Sequence, residues 1–227
     1  MKILQLHSNF IEYHPIEKEI DSIRNVFRKR RIRLRIEVGT TVDEKYLLTN
    51  LPNTTIFHFT GHGSISDDPD HVGIQIARDS VISGKTLSGL QEPPPIVFLN
   101  MCTASWREAW RSSVGLIETL LRRGTLCCIA TLWDVRSQTA SLLSSNFYRY
   151  LLSGSSLGEA LRLARVDVVR QNGIADLSWA AYALYGDPAI RLTGLAEPAW
   201  KLNWRRAVVA VLIIIGSVLI PRHLSRE

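Results

Sequence analysis

A chain of 227 residues, 46% of them hydrophobic, suits one globular domain with a full core and at most a small appendage. Its formal charge of +6 is compatible with an anionic membrane surface or nucleic acid and demands neither. The three cysteines, Cys102 and the adjacent Cys127 and Cys128, contain no Cys-x-x-Cys and no Cys/His metal spacing, which argues against a disulfide framework or a zinc site and fits a reducing compartment.

Lys2 to Leu6 is too short an apolar run for a signal peptide and reads as a first strand, which places the domain in the cytoplasm. Ile16, Ile20, Ile23 and Phe27 recur at helical spacing, so Ile16 to Arg30 is predicted to be a helix. Ile32 to Val38 alternates strictly and reads as a half-buried strand near a sheet edge. The arginines and lysine from Arg24 to Arg35 form a basic cluster. No aromatic residues interleave usefully with it, so it reads as a solvated face and no nucleic-acid partner is expected. Tyr46 to Leu51 is a short helix, and Thr54 to Phe59 a buried strand leading into a Gly61-His62-Gly63 turn, where glycines permit close backbone approach. Val72 to Ala77 with Ser80 to Ser83 suggests a hairpin, followed by a short helix near Thr86 to Leu90.

After Pro93-Pro94-Pro95, Ile96 to Met101 is an apolar strand ending at Cys102. Ala104 to Arg111, rich in Trp and Arg, would form a rim. Ser112 or Ser113 can cap a helix to Arg123, stopped by Gly124. Thr125 to Leu132 is another apolar strand, with Trp133-Asp134 at its carboxyl end. Ser137 to Leu152 is a helix. Ser156 to Glu159 is a capping box that opens a second helix, ending before Gly173. Trp179 to Tyr185 reads as a last strand. Strands alternating with helices predict an α/β fold, a mostly parallel sheet with helices on both faces.

The expected domain spans 1–194 and a linker 195–205. An apolar segment, 206–221, precedes the short tail 222–227. Ala207 to Ile220 carries no charge and spans roughly 21 Å as a helix, against the ~30 Å hydrocarbon core. Its apolar character on all sides, the preceding Trp200 and Trp204, and the flanking Arg205, Arg206 and Arg222 favour a transmembrane helix. That would be a single-pass C-terminal anchor with the domain in the cytoplasm; the alternative is a helix docked on the domain or a partner.

In an open α/β sheet reactive groups gather beyond the carboxyl ends of the strands. If the strands ending at His62 and Cys102 are neighbours, an imidazole and a thiol meet there, the minimum for a cysteine hydrolase. His62 would be the general base and Cys102 the nucleophile, with backbone N–H groups of Gly63 and Cys102 as the oxyanion hole. His58, inside the strand, reads as a satisfied core histidine. Trp106 and Trp110 either wall the cleft or cover the core. No phosphate loop, nucleotide fingerprint or metal cluster is present, so no cofactor and no metal are expected.

His58-Phe59-Thr60-Gly61-His62-Gly63 and Val97-Phe98-Leu99-Asn100-Met101-Cys102-Thr103-Ala104 resemble the two catalytic motifs of CHAT-domain proteins, caspase-like cysteine peptidases related to caspases, separases and gingipains. Ile129 to Ser137, Leu151 to Gly154, Glu159-Ala160-Leu161 and Trp179 to Pro188 resemble further family segments in the same order. The resemblance implies a caspase-like fold and peptide-bond cleavage by a His62–Cys102 dyad, with Gly63 in the oxyanion hole. It also implies an acidic substrate pocket for a basic P1 side chain. Asp134, beside Trp133, is the candidate for that pocket. Asp67, Asp68 and Asp70 are alternatives that otherwise read as a solvated loop. Family members often carry helical repeats ahead of the domain, and none fits before the sheet here. The expected partners are therefore a protein substrate, a separate activator or sensor protein and, through the tail, the membrane. Such an arrangement suits a bacterial stress or defence pathway. The rival expectations are a catalytically silent scaffold that recruits partners at the membrane, and another hydrolase such as an amidase.

Overall fold

The computed structural model describes residues 3–7, 13–32, 34–38, 42–64, 73–77, 80–102 and 115–192. Met1–Arg191 form one compact unit, of which the residues from Leu192 onward are not part. The strands are β1 (Ile3–His7), β2 (Leu34–Val38), β3 (Ile56–Ser64), β4 (Gly73–Ala77), β5 (Ser80–Ser83), β6 (Ile96–Cys102), β7 (Cys127–Thr131) and β8 (Tyr182–Gly186). The helices are α1 (Tyr13–Lys29), α2 (Glu44–Asn50), α3 (Gly84–Ser88), α4 (115–122), α5 (Ser137–Leu151) and α6 (Leu157–Asn172).

The main sheet runs β2-β1-β3-β6-β7-β8. Its first five strands are parallel, and the β4–β5 hairpin adds antiparallel to the far end of β3. Short polar caps start three of the helices: α6 after Ser156, as the sequence predicts, and α2 at Glu44 and α3 at Gly84, two residues ahead of the expected Tyr46 and Thr86. Asp43 accepts from the Tyr46 N–H at 2.6 Å, Ser83 from the Thr86 N–H at 3.1 Å, and Ser156 from the Glu159 N–H at 3.3 Å. Gly73 lets the hairpin close, since a Cβ there would lie 2.1 Å from the Ile82 carbonyl oxygen.

Alternate residues along the strands divide the core into two layers. Leu4, Leu6, Phe57, Phe59, Val97, Leu99 and Met101 pack with Leu47 and Leu51, Leu87 and Leu90, and Leu116, Ile117 and Leu120 around α2, α3 and α4. The other face meets α1 and α5 through aromatic contacts. Phe98 lies 5.3 Å from Phe147 and 5.9 Å from Tyr182, and Phe27 lies 5.2 Å from Tyr148. Helices thus cover both faces of the sheet, as the alternating pattern predicts.

Two expectations change. The last strand does not begin at Trp179: residues Leu177–Ala180 form a 3₁₀ turn, and β8 follows antiparallel to β7. Two helices in succession, α5 and α6, return the chain to the end of the sheet where β7 finished, so the next strand can only run back. The expected Gly61-His62-Gly63 turn is also absent. β3 continues through both glycines to Ser64, because β4 supplies a new pairing partner there.

Asp176 fixes the approach to β8. Its carboxylate accepts from Thr139 Oγ1 at 2.7 Å, Asn172 Nδ2 at 2.8 Å and the Ser178 N–H at 3.2 Å, and Arg136 lies 2.7 Å away. Burial works to raise its pKa. The hydrogen bonds from Ser178, Thr139, Asn172 and Arg136 outweigh burial and hold it well below the usual carboxylate value. A depressed folded-state pKa gives stability that is complete above the unfolded value and lost as pH falls through the folded one. Asp176→Ala should cost roughly 2–3 kcal/mol at neutral pH. The difference from wild type should shrink below about pH 4. Urea melts at pH 7 and pH 3 test both statements.

Candidate active site

The site is built by two buried strands in one register. β3 and β6 pair in parallel from Ile56↔Ile96 to His62↔Cys102. Neighbouring strands lie about 4.8 Å apart, so this pairing brings the backbones of His62 and Cys102 side by side at the carboxyl ends of adjacent strands. Positions 58, 60 and 62 of β3 and 98, 100 and 102 of β6 share the face covered by α1 and α5. His62 is half-buried. On its other side β4 pairs His62↔Gln75 and Gly63↔Ile74, so Gly63 lies at the same rim between the hairpin and the end of β6.

Trp133 and Asp134 lie on this rim, on the β7 side of Cys102, and both are exposed. The end of β7 is tied to its neighbours. The Thr131 hydroxyl donates to the Met101 carbonyl, and the Leu132 N–H donates to the Ala181 carbonyl at 2.8 Å. Asp67, Asp68, Asp70, Trp106 and Trp110 lie outside the described residues, as does the apolar segment 206–221. Among the described residues, no helix is long and apolar enough to cross a membrane, and no group of three His, Cys, Asp or Glu side chains could hold a metal ion.

Directly behind the rim is a buried polar ladder. His58, two residues before Thr60, stacks on Phe98 with ring centroids 4.8 Å apart. Its Nδ1 is 2.9 Å from the Tyr148 hydroxyl. Its Nε2 is 3.0 Å from Thr60 Oγ1 and 3.2 Å from Glu19 Oε1. Asn100 Nδ2 donates to both Glu19 oxygens, at 2.9 and 3.0 Å, and the Tyr182 hydroxyl donates to Asn100 Oδ1 at 3.0 Å. Burial, then the Glu19 charge, raises the Tyr148 pKa well above the ordinary value and keeps it a neutral hydroxyl. The sequence reading of His58 as a satisfied core histidine agrees with this geometry, but it missed Glu19, Asn100, Tyr148 and Tyr182. Two signals were available. Glu19 interrupts the apolar stripe of α1, and Asn100 is a lone amide inside an apolar strand, where a buried polar group needs a partner.

Cys127 and Cys128 are fully buried. Burial, reinforced by Asp187, pushes the Cys127 thiol up to about 12, and burial with Cys127 as neighbour raises Cys128 further. They act as small hydrophobic side chains, not nucleophiles.

A mostly parallel sheet with a hairpin beside one strand end brings the backbones of His62 and Cys102 together at that rim. The model of the CHAT domain matches residues 5–187, and the chain belongs to that family. Two crystal structures of the Saccharomyces cerevisiae separase–securin complex are similar. The one at 2.6 Å resolution has a TM-score of 0.56 at 20% identity, covering 82% of this chain and 12% of that one. The one at 3.0 Å has a TM-score of 0.53 at 21% identity, covering 82% and 11%. This chain therefore spans about one eighth of the length of the separase it resembles. No curated protein matches it.

Native protein treated with iodoacetamide should remain unmodified at Cys127 and Cys128. In denaturant both should alkylate, as peptide mass mapping would show; native modification of either would contradict their burial.

Proposed function

We propose that the chain is a cysteine endopeptidase in which His62 and Cys102 act as a dyad. The observation that carries this is the His62↔Cys102 register at the carboxyl ends of two adjacent parallel strands. Membership of a family with a caspase-like peptidase fold supports it. In the proposed mechanism His62 takes the Cys102 thiol proton, and the thiolate attacks the scissile carbonyl carbon. The carbonyl oxygen becomes an oxyanion, which accepts hydrogen bonds from the N–H groups of Gly63 and Cys102. His62 returns its proton to the leaving amine as the C–N bond breaks, leaving a thioester. Water, deprotonated by His62, attacks the thioester and regenerates the thiol.

Asp134, beside Trp133 at the same rim, receives a basic P1 side chain in this proposal. An exposed carboxylate close to the strand that bears the nucleophile is suited to that role. Both separase structures are complexes with securin, and by analogy a separate protein governs this domain. The apolar segment 206–221 anchors the chain in a membrane, with the domain in the cytoplasm; its composition and its flanking Trp and Arg residues support this.

A peptidyl electrophile should label Cys102 in wild type, and Cys102→Ala should abolish both labelling and cleavage. His62→Ala should slow labelling by about 10²–10⁴-fold. Equal labelling of wild type and Cys102→Ala would remove the nucleophile from the mechanism. Asp134→Ala should erase a preference for Arg or Lys at P1; a preference that survives would exclude Asp134 from the pocket. The full chain should sediment with membranes and a chain ending at Leu195 should not. Identical partitioning of the two would end the anchor proposal.

A further inference from the structure

Glu19 is an uncommon feature for a core. Its side chain is about 3% exposed, and its partners are an imidazole and an amide, with no Lys or Arg paired to it among the described residues. Burying a carboxylate in this way is costly, and well-packed apolar residues would usually serve stability as well. The position of this charge is what gives it use. Thr60↔Asn100 is the register pair one pleat repeat behind His62↔Cys102, on the same face. Two residues along a strand are roughly 7 Å.

We infer that Glu19 is a positioning residue for the His62–Cys102 pair, acting through Asn100 and His58; this rests on the peptidase mechanism proposed above. The carboxylate grips β6 by two hydrogen bonds from Asn100 and β3 by its contact with His58. One side chain of α1 thereby clamps the two strands immediately before their reactive ends. Tyr182 on β8 and Tyr148 on α5 hold the outer ends of the ladder. Gln5, the register partner of His58 on β1, is fully buried with neither amide atom hydrogen-bonded among the described residues, and takes no part in the ladder. The clamp therefore depends on α1. A shift of α1 away from the sheet would remove the one side chain that joins Asn100 to His58 and let the ends of β6 and β3 move apart. Misplacement of reacting groups by about 1 Å is enough to cost about 10²-fold in rate.

The test uses the full chain and a peptidyl electrophile, measuring the maximal inactivation rate and the half-saturating concentration separately, with thermal melts on the same samples. Glu19→Gln keeps the shape and removes the charge. It should lower the maximal rate about tenfold or more while half-saturation stays within about threefold. Asn100→Asp sets two carboxylates against each other and should be slowed at least as much. Combining the two exchanges amide and carboxylate across the same hydrogen bonds, and should recover the rate to within about threefold of wild type. Tyr182→Phe, which removes the hydroxyl that donates to Asn100, should slow labelling by about threefold and serves if Glu19→Gln does not fold. Positioning by Glu19 is overturned if folded Glu19→Gln labels at the wild-type rate, if the double variant is no faster than the single ones, or if lost rate merely follows lost folded protein. A folded Tyr182→Phe with unchanged rate overturns it where Glu19→Gln fails to fold. Wild type that does not label at Cys102 overturns the peptidase mechanism itself, an outcome distinct from these.

Discussion

The parallel, in-register pairing of β3 on β6 is the constraint on which the rest of this structure depends. It runs for seven residue pairs and ends at His62 and Cys102. Side chains alternate along a strand, so a slip of one residue would send every second group to the other face. Here a slip of β3 would drive Phe57 and Phe59 out of the apolar layer and bring His58 and Thr60 into it, and a slip of β6 would exchange Val97 and Leu99 for Phe98 and Asn100. The hydrophobic layer thus fixes the register, and the register brings the rim residues together. Packing energy spread over the whole sheet is converted into the placement of two residues.

The two faces of the sheet divide the work. The face toward α2, α3 and α4 is wholly apolar and supplies ordinary burial. The face toward α1 and α5 carries aromatic rings with a polar ladder of Glu19, His58, Thr60, Asn100, Tyr148 and Tyr182. A fully bonded network of this kind is stiff and specific, whereas a partly bonded one would destabilise the fold. Each group has a hydrogen-bond partner, and the groups come from β3, β6, β8, α1 and α5. This joins elements distant in sequence just beneath the rim. Asp176 does similar service at the edge of the sheet, where it joins α5, α6 and the start of β8.

The similarity to separase concerns the fold of one segment of a much longer protein. What this chain shares with it is the fold of that segment. Whatever regulates or recruits separase through the rest of its length has no counterpart in this comparison. The proposed activity and membrane anchoring of this chain therefore rest on its family and on its own residues and their arrangement, and control in trans rests on the analogy with the securin complex.

The amino-acid sequence alone determined the α/β class and most strands and helices. These are local matters: alternation, helical spacing, capping residues and apolar runs are written in neighbouring residues. The sequence also marked His58 as a core histidine, because an imidazole inside a buried strand must find a partner. Tertiary structure alone decided three things. It extended β3 through Gly61 and Gly63, because β4 arrives from elsewhere in the chain to pair there. It set β8 antiparallel, because two consecutive helices return the chain to the end where β7 finished. And it joined Glu19 to His58, 39 residues away, and Asn100 to Tyr182, 82 residues away. Periodicity cannot indicate which distant polar groups will share a buried site. That depends on strand order and on the helix that covers it, and both are properties of the assembled fold.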